Sequence, residues 1–187
     1  FPIPGCDSYL TPRYSTDQDE WESRQIFSIL VEEIRSVEVN YTGQAEHSFK
    51  LSKEGEDYTI ESEGLGDLST LNFGALSSYF GNFRGISYEG YPPMFEKNRA
   101  KEDSIINTRP WCELRLTAEN GQSERLLIWQ KEARSDLSLY DQEGNPLAID
   151  PERLYALIDG KDRLVHIQIL VFKTILVQLQ DFTLKNG

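Results

Sequence analysis

Two stretches of the sequence repeat one pattern, and this repeat constrains the fold more than any other feature. Residues 36–53 and 112–131 each give an alternating run of apolar and polar side chains, a short polar turn containing glycine, and a second apolar-rich run. A third short run follows each pair, at residues 57–61 and 138–141, and then an apolar segment at helical spacing. A period of about two followed by about 3.6 is typical of an antiparallel sheet covered by a helix. The sequence therefore predicts an α+β fold of two repeated antiparallel β-β-β-α units.

The repeat divides the chain into four parts. Residues 1–33 form an irregular N-terminal arm, because its prolines prevent a continuous helix at the start. Residues 34–83 are the first β-β-β-α unit. Residues 84–110 form a crossover loop, in which Tyr, Gly, Pro and charged residues are mixed with no regular spacing. Residues 111–187 are the second unit. We expect the two units to pack as one domain.

Three segments are predicted to be helical. Residues 71–83 place their apolar side chains on one face, with Asp67 or Ser69 as the cap. Residues 152–158 follow a proline, whose missing N–H is tolerated at the start of a helix. Residues 162–182 are apolar and contain no helix breaker, so they are too long for one strand. Their first third also alternates, which leaves a strand open as the alternative there.

The charge of the chain excludes some partners. With 19 basic against 31 acidic residues, the formal net charge is −12. Such a field repels phosphate backbones, so we expect no nucleic-acid binding. The longest apolar stretch, residues 164–184, is interrupted by charged and amide side chains and is too polar to face lipid. We therefore expect no direct membrane insertion by this segment.

The chain has two cysteines, Cys6 in the arm and Cys112 at the start of a predicted strand. Exported proteins often pair their cysteines. Their places in the predicted fold favour two unpaired, buried thiols, and a disulfide between them stays open as the alternative.

Motifs for catalysis are absent from the sequence. The only histidines, His47 and His166, have no carboxylate at helical spacing to orient them as a general base. The acidic turn that contains Asp141 and Glu143 is similar to a calcium loop, but its glycine comes too early for one, and a hairpin turn explains the same residues. We therefore predict that the protein is not an enzyme and has no catalytic residue, cofactor or metal ion.

One segment of the crossover loop has the composition of a contact surface. Tyr88, Tyr91 and Phe95 stand on a loop that two prolines stiffen. Aromatic side chains are enriched in protein interfaces, so these three residues are a possible interaction surface. The alternative is that they fold back and cover the sheet, since monomers seldom expose large apolar patches.

Several segments together resemble a known family. They are Pro12-Arg13-Tyr14, Trp21, Phe27, the hairpin at 37–51 with Ser48-Phe49, residues 150–158, Gln168, Val171-Phe172 and Asp181-Phe182. Over most of its length the chain resembles the extracytoplasmic domain-of-unknown-function family 4340, which is common in Bacteroidetes. The resemblance implies an envelope protein of small α+β units with an N-terminal hydrophobic anchor. Related domains accompany transporter-type membrane systems, including gliding-motility components, and the family has no agreed catalytic residues.

From these observations we expect an extracytoplasmic protein of the periplasm or cell envelope, anchored through a segment outside this chain. We expect it to be a non-enzymatic binding or scaffold module with a protein partner in the envelope. One alternative is an accessory subunit of a membrane transport or gliding-type machine. Another is a hydrolase that uses two carboxyl groups, which would need one carboxyl pKa raised by burial in a cleft.

Overall fold

A computed structural model describes residues 22–66, 71–92, 98–133, 140–141 and 143–183. The described residues form a seven-stranded sheet in which every neighbouring pair of strands is antiparallel. The strands are β1 Ile34–Tyr41, β2 Phe49–Glu54, β3 Asp57–Glu61, β4 Cys112–Ala118, β5 Ser123–Glu132, β6 Ile149–Ile158 and β7 Val165–Gln168. Their order across the sheet is β3-β2-β1-β4-β5-β6-β7. With the helices described next, this sheet confirms the α+β class.

Helices flank the sheet and are short. They are α1 Phe73–Tyr79, α2 Arg99–Ile106 and α3 Ile169–Phe172, with 3₁₀ turns at Val31–Glu33, Ala45–His47, Phe80–Phe83 and Leu179–Phe182. The side chain of Asn72 caps α1 by accepting a hydrogen bond from the backbone N–H of Ala75 at 3.1 Å. The caps predicted for this helix, Asp67 and Ser69, lie outside the described residues.

One face of the sheet carries the main core. Alternate side chains of the central strands are fully buried there, such as Val37 and Val39 of β1, and Leu114 and Leu116 of β4. Helix α1 and the C-terminal residues pack over this face, and the hydroxyl of Tyr79 donates to a backbone carbonyl of the C-terminal segment at 2.6 Å. Because strand side chains alternate between faces, the same strands must present their polar residues on the other side.

The second face is covered at one end. Over β5, β6 and β7 it forms a smaller cluster of Trp129, Tyr155 and Leu164, against which Ile105 and Ile106 of α2 pack. Over β3, β2, β1 and β4 its side chains are exposed or half-buried in the described part of the chain. We call the outward side of these four strands the open face.

The helix predicted at residues 152–158 is wrong, because this segment is strand β6, paired with β5 and β7. Its burial alternates where it pairs with both neighbours, as Leu154 and Ala156 point into the main core and Tyr155 points to the smaller cluster. Pro151 lies where the register with β5 shifts, between Ile149 and Leu154, and before the pairing with β7 begins. Its missing N–H therefore costs no ladder hydrogen bond there.

The long helix predicted over residues 162–182 is also wrong. The β-branched start of this segment is strand β7, one helical turn (α3) follows, and a 3₁₀ turn lies further on at Leu179–Phe182. Pairing with β6 gives these backbone groups partners that a helix would otherwise supply. The second half thus has four strands where the first has three, and equal β-β-β-α units are not confirmed. Helix α2 lies inside the predicted crossover loop, so that loop is partly regular.

Candidate binding surface

Two rows of polar side chains run in register across the open face and continue onto the start of β5. In the first row, charged residues stand opposite one another on five strands, in the order Glu61, Lys50, Glu38, Arg115 and Arg125. In the second row, the opposed residues are all hydroxyl-bearing, in the order Thr59, Ser52, Ser36, Thr117 and Ser123. Neighbouring strands lie about 4.8 Å apart, so each row extends for roughly 19 Å.

A shallow pocket of about 760 Å³ lies at one end of the open face. The 3₁₀ turn between β1 and β2 forms one wall, and the residues that follow β3 form another. Four carboxylates line it together with one ammonium group. They are Glu38, Glu46, Glu61, Glu63 and Lys50. We call this site the acidic pocket.

Backbone packing fixes the two walls of the acidic pocket against each other. The hydroxyl of Ser62 donates to the backbone carbonyl of Ser48. The Cα of Gly64 approaches the backbone of Glu46 so closely that a Cβ there would overlap its carbonyl oxygen. Only glycine avoids this overlap, so the position of this wall depends on Gly64.

The carboxylates of the acidic pocket outnumber the cations beside them, which are Lys50 and, opposite Glu38 on β4, Arg115. Glu38 accepts a hydrogen bond from the side-chain amide of Asn40 at 2.8 Å, and Glu46 lies 3.6 Å from the imidazole of His47. Within the described residues, none of Glu38, Glu61 and Glu63 forms an ion pair. The pocket therefore holds an excess of negative charge.

The structure corrects part of the interaction surface that the sequence predicted. Tyr88 is only 3% exposed, and its ring packs edge-on against Tyr91 with centroids 5.8 Å apart. Tyr91 is half-buried, donates to a carboxylate oxygen of Glu22 at 2.6 Å, and lies 4.0 Å below the guanidinium of Arg163. Phe95 lies outside the described residues. Tyr88 is thus a packing residue and is not available to a partner, whereas Tyr91 holds Glu22 to the domain.

The two histidines are not brought together. His47 is half-buried in the turn before β2, whereas His166 is buried in β7, close to the opposite edge of the sheet. The ring of His166 lies 5.2 Å from that of Tyr155.

Two ion pairs near the β6 end of the sheet were not predicted from the sequence. Lys131 and Asp150 are both buried, with Nζ and Oδ2 3.0 Å apart. The guanidinium of Arg153 donates two hydrogen bonds, of 2.7 and 2.8 Å, to the carboxylate of Glu89, and this contact lowers the pKa of the Glu89 carboxyl. The two partners of each pair are far apart in the sequence. No local sequence pattern therefore predicts that they meet.

Cys112 is buried, and burial raises the pKa of its thiol to about 12, helped by the charge of Glu113. Such a thiol carries almost no thiolate at neutral pH and is inert. Cys6 lies outside the described residues, so the open choice between two thiols and a disulfide stays a prediction.

The acidic turn near residue 141 folds as a capped turn. One oxygen of Asp141 accepts from the backbone N–H groups of Glu143 and Asn145 at 2.9 and 2.8 Å, and the other accepts from the Asn145 side chain at 3.2 Å. These hydrogen bonds lower the pKa of the Asp141 carboxyl, and the bond from the backbone N–H of Asn145 has the largest effect. In the part of the chain that the structure describes, no three His, Cys, Asp or Glu side chains are grouped to hold a metal ion.

None of the helices in the described part of the chain has the length and apolarity needed to cross a bilayer. No protein-family model matches the chain, and no curated protein or solved structure is detectably similar to it. The resemblance to the extracytoplasmic family therefore stays a prediction.

Proposed function

We propose that this protein is a non-enzymatic binding or scaffold module of the cell envelope, and that its open face is the contact surface for a protein partner. The observation that carries the proposal is the pair of in-register polar rows on a sheet face that the described residues leave uncovered.

The core behind the open face makes it a rigid surface. Val37, Val39 and Leu51 alternate with the outward-facing residues and are completely buried. Close packing on one side of the sheet fixes the spacing of the side chains on the other. A preorganised surface loses less conformational entropy on binding than a mobile one, so more of its contact energy becomes affinity.

The ionisation of the carboxyl groups gives no support to the alternative of a hydrolase. A two-carboxyl hydrolase needs one acid that keeps its proton near neutral pH. Wherever the pKa of a described carboxyl group is shifted, it is shifted downward. These groups are Glu22, Glu32, Glu89, Asp141 and Asp150. Each is an anion that holds hydrogen bonds within the fold.

We also propose that the sheet descends from a duplicated three-stranded unit. Strands β1, β2 and β3 follow one another outward from the centre of the sheet, and β4, β5 and β6 do the same in the opposite direction. Superposing the Cα atoms of the two sets tests this, and a fit that pairs β1 with any strand except β4 would contradict it.

Photo-crosslinking tests the contact surface. A benzoyl-phenylalanine placed at Thr59 or Ser52 of the tagged, full-length protein in its source cells should give one discrete adduct after irradiation. The matched control is the same group at Ser78, which is exposed on α1 on the opposite side of the sheet. Fractionation of the same cells tests the envelope location. Absence of an adduct at the open-face positions, or equal adducts at Ser78, would refute the proposal.

A further inference from the structure

We infer that the acidic pocket binds a basic segment of the protein partner, one that presents lysine or arginine side chains to the pocket carboxylates. This inference rests on the proposed function, because it names the partner chemistry for one end of the open face.

Charge complementarity identifies the occupant. Four carboxylates face one ammonium group in the acidic pocket. The neighbouring carboxylates repel one another. A cation placed among these carboxylates lowers that repulsion and is attracted to each of them. The mobile ions of the solvent screen exposed charges over about 8 Å at physiological salt, so the effect is strongest for a cation inside the pocket.

The register of the strands shows where the cations would sit. Lys50 stands directly opposite both Glu61 and Glu38, on the strand between them. Two such carboxylates are therefore about 9–10 Å apart across the sheet. Basic side chains two residues apart on one extended segment lie about 7 Å from each other, and their flexible stems can reach both carboxylates, one on each side of Lys50.

The shape of the pocket favours a peptide over a small molecule. Its volume of about 760 Å³ exceeds the space of one side chain. Small-molecule sites are concave and bury most of the ligand, whereas this site is shallow and open to solvent. The wall held by Ser62 and Gly64 is fixed by its contacts with Ser48 and Glu46. A segment that docks there does not have to order the wall first.

Peptide binding to the purified chain tests this inference. The probe is a fluorescent ten-residue peptide of alternating lysine and serine, compared with the same peptide carrying glutamate for lysine. Fluorescence anisotropy should show saturable binding of the lysine peptide alone, weakening at higher salt.

The decisive comparison uses two triple variants of equal net charge. The pocket variant combines Glu38→Gln, Glu61→Gln and Glu63→Gln, and should raise the Kd for the lysine peptide by about tenfold or more. The control variant changes Glu33, Glu119 and Glu143 to Gln, which are exposed outside the acidic pocket. It should change the Kd by less than about twofold. Thermal melts of both variants check that they are folded.

Two results would overturn the inference. Equal weakening by both variants would mean that the lysine peptide responds only to the net charge of the chain. Absence of saturable binding to the original chain would exclude a basic occupant. In either case, the crosslinking at Thr59 still decides the proposed function by itself, so a failure of the partner chemistry is distinguishable from a failure of the contact surface.

Discussion

Replacement of Gly64 by alanine should destabilise the protein by steric overlap alone. The new Cβ would lie 2.8 Å from the carbonyl carbon and 2.9 Å from the Cα of Glu46, where ordinary contacts are 3.4–4 Å. Its closest neighbour is the carbonyl oxygen of the same residue. These atoms belong to the backbone of a turn, so they cannot move away by a change of rotamer. The backbone of Gly64 is not left-handed, and conformational strain adds nothing to the expected loss.

The expected loss follows from the cost of overpacking, which is about 1–3 kcal/mol. Because the wall is close to solvent and can relax, we expect the lower part of that range. For a domain of this size, about 1–2 kcal/mol lowers Tm by roughly 2–8 °C. The same overlap pushes the segment that carries Glu63 away from the 3₁₀ turn. The lysine peptide should therefore bind the variant more weakly than the original chain.

The matched control is Gly66→Ala. A Cβ at Gly66 has no atom within 4 Å, and its backbone is also not left-handed. Alanine there should be neutral or stabilise by about 0.4–1 kcal/mol, because it restricts the unfolded chain. Urea unfolding followed by circular dichroism measures both variants. A Gly64→Ala midpoint equal to that of Gly66→Ala would show that the two walls of the pocket are not packed as described.

Three further predictions concern the interior. Asp150→Ala removes the carboxylate next to the buried Lys131 and should cost about 3–5 kcal/mol in urea unfolding, more than Asp150→Asn. Burial by itself would raise the pKa of Asp150. The backbone N–H groups of Glu152 and Arg153 and the Lys131 ammonium outweigh burial, so the pKa of the folded protein's Asp150 is lowered. Its charge should therefore stabilise the fold fully above about pH 4, so the stability gap between the original chain and Asp150→Asn should shrink in acid as the pH falls through the folded pKa. Cys112 should react with iodoacetamide only as the protein unfolds, and fast labelling of the folded protein at pH 7 would contradict its burial.

The first five strands could be predicted because their local pattern and their burial agree. In β1, for example, the alternation predicted from the sequence is the alternation of buried and outward side chains in the sheet. For strand β6 the sequence predicts a helix, because Pro151 followed by charged and apolar residues has the composition of a helix start. The segment is a strand because it pairs with β5 on one side and β7 on the other, and a short stretch of sequence does not contain this information.

The candidate site was harder to predict, because it depends on register. Glu38 and Arg115 are far apart in the sequence and become neighbours only when β1 pairs with β4. The acidic pocket also needs the close approach of Gly64 to Glu46, and the sequence shows only a glycine in a turn. The aromatic loop gave the stronger sequence signal, since tyrosines are common in interfaces. The sequence does not show that Tyr88 is buried.

The pattern on the open face is held by the core on the other side of the sheet. The pairing of Val37 with Leu116 and of Val39 with Leu114 joins the two halves of the chain at the β1–β4 seam. A slip of one residue in either strand would turn these buried side chains outward and bring charged ones into the core. The core therefore fixes the one register in which Glu38 stands opposite Arg115, and the charged row crosses from one half of the chain to the other without a break. Substitutions that weaken this seam should disturb binding at the open face even though they touch no partner, because they release the register on which the rows depend.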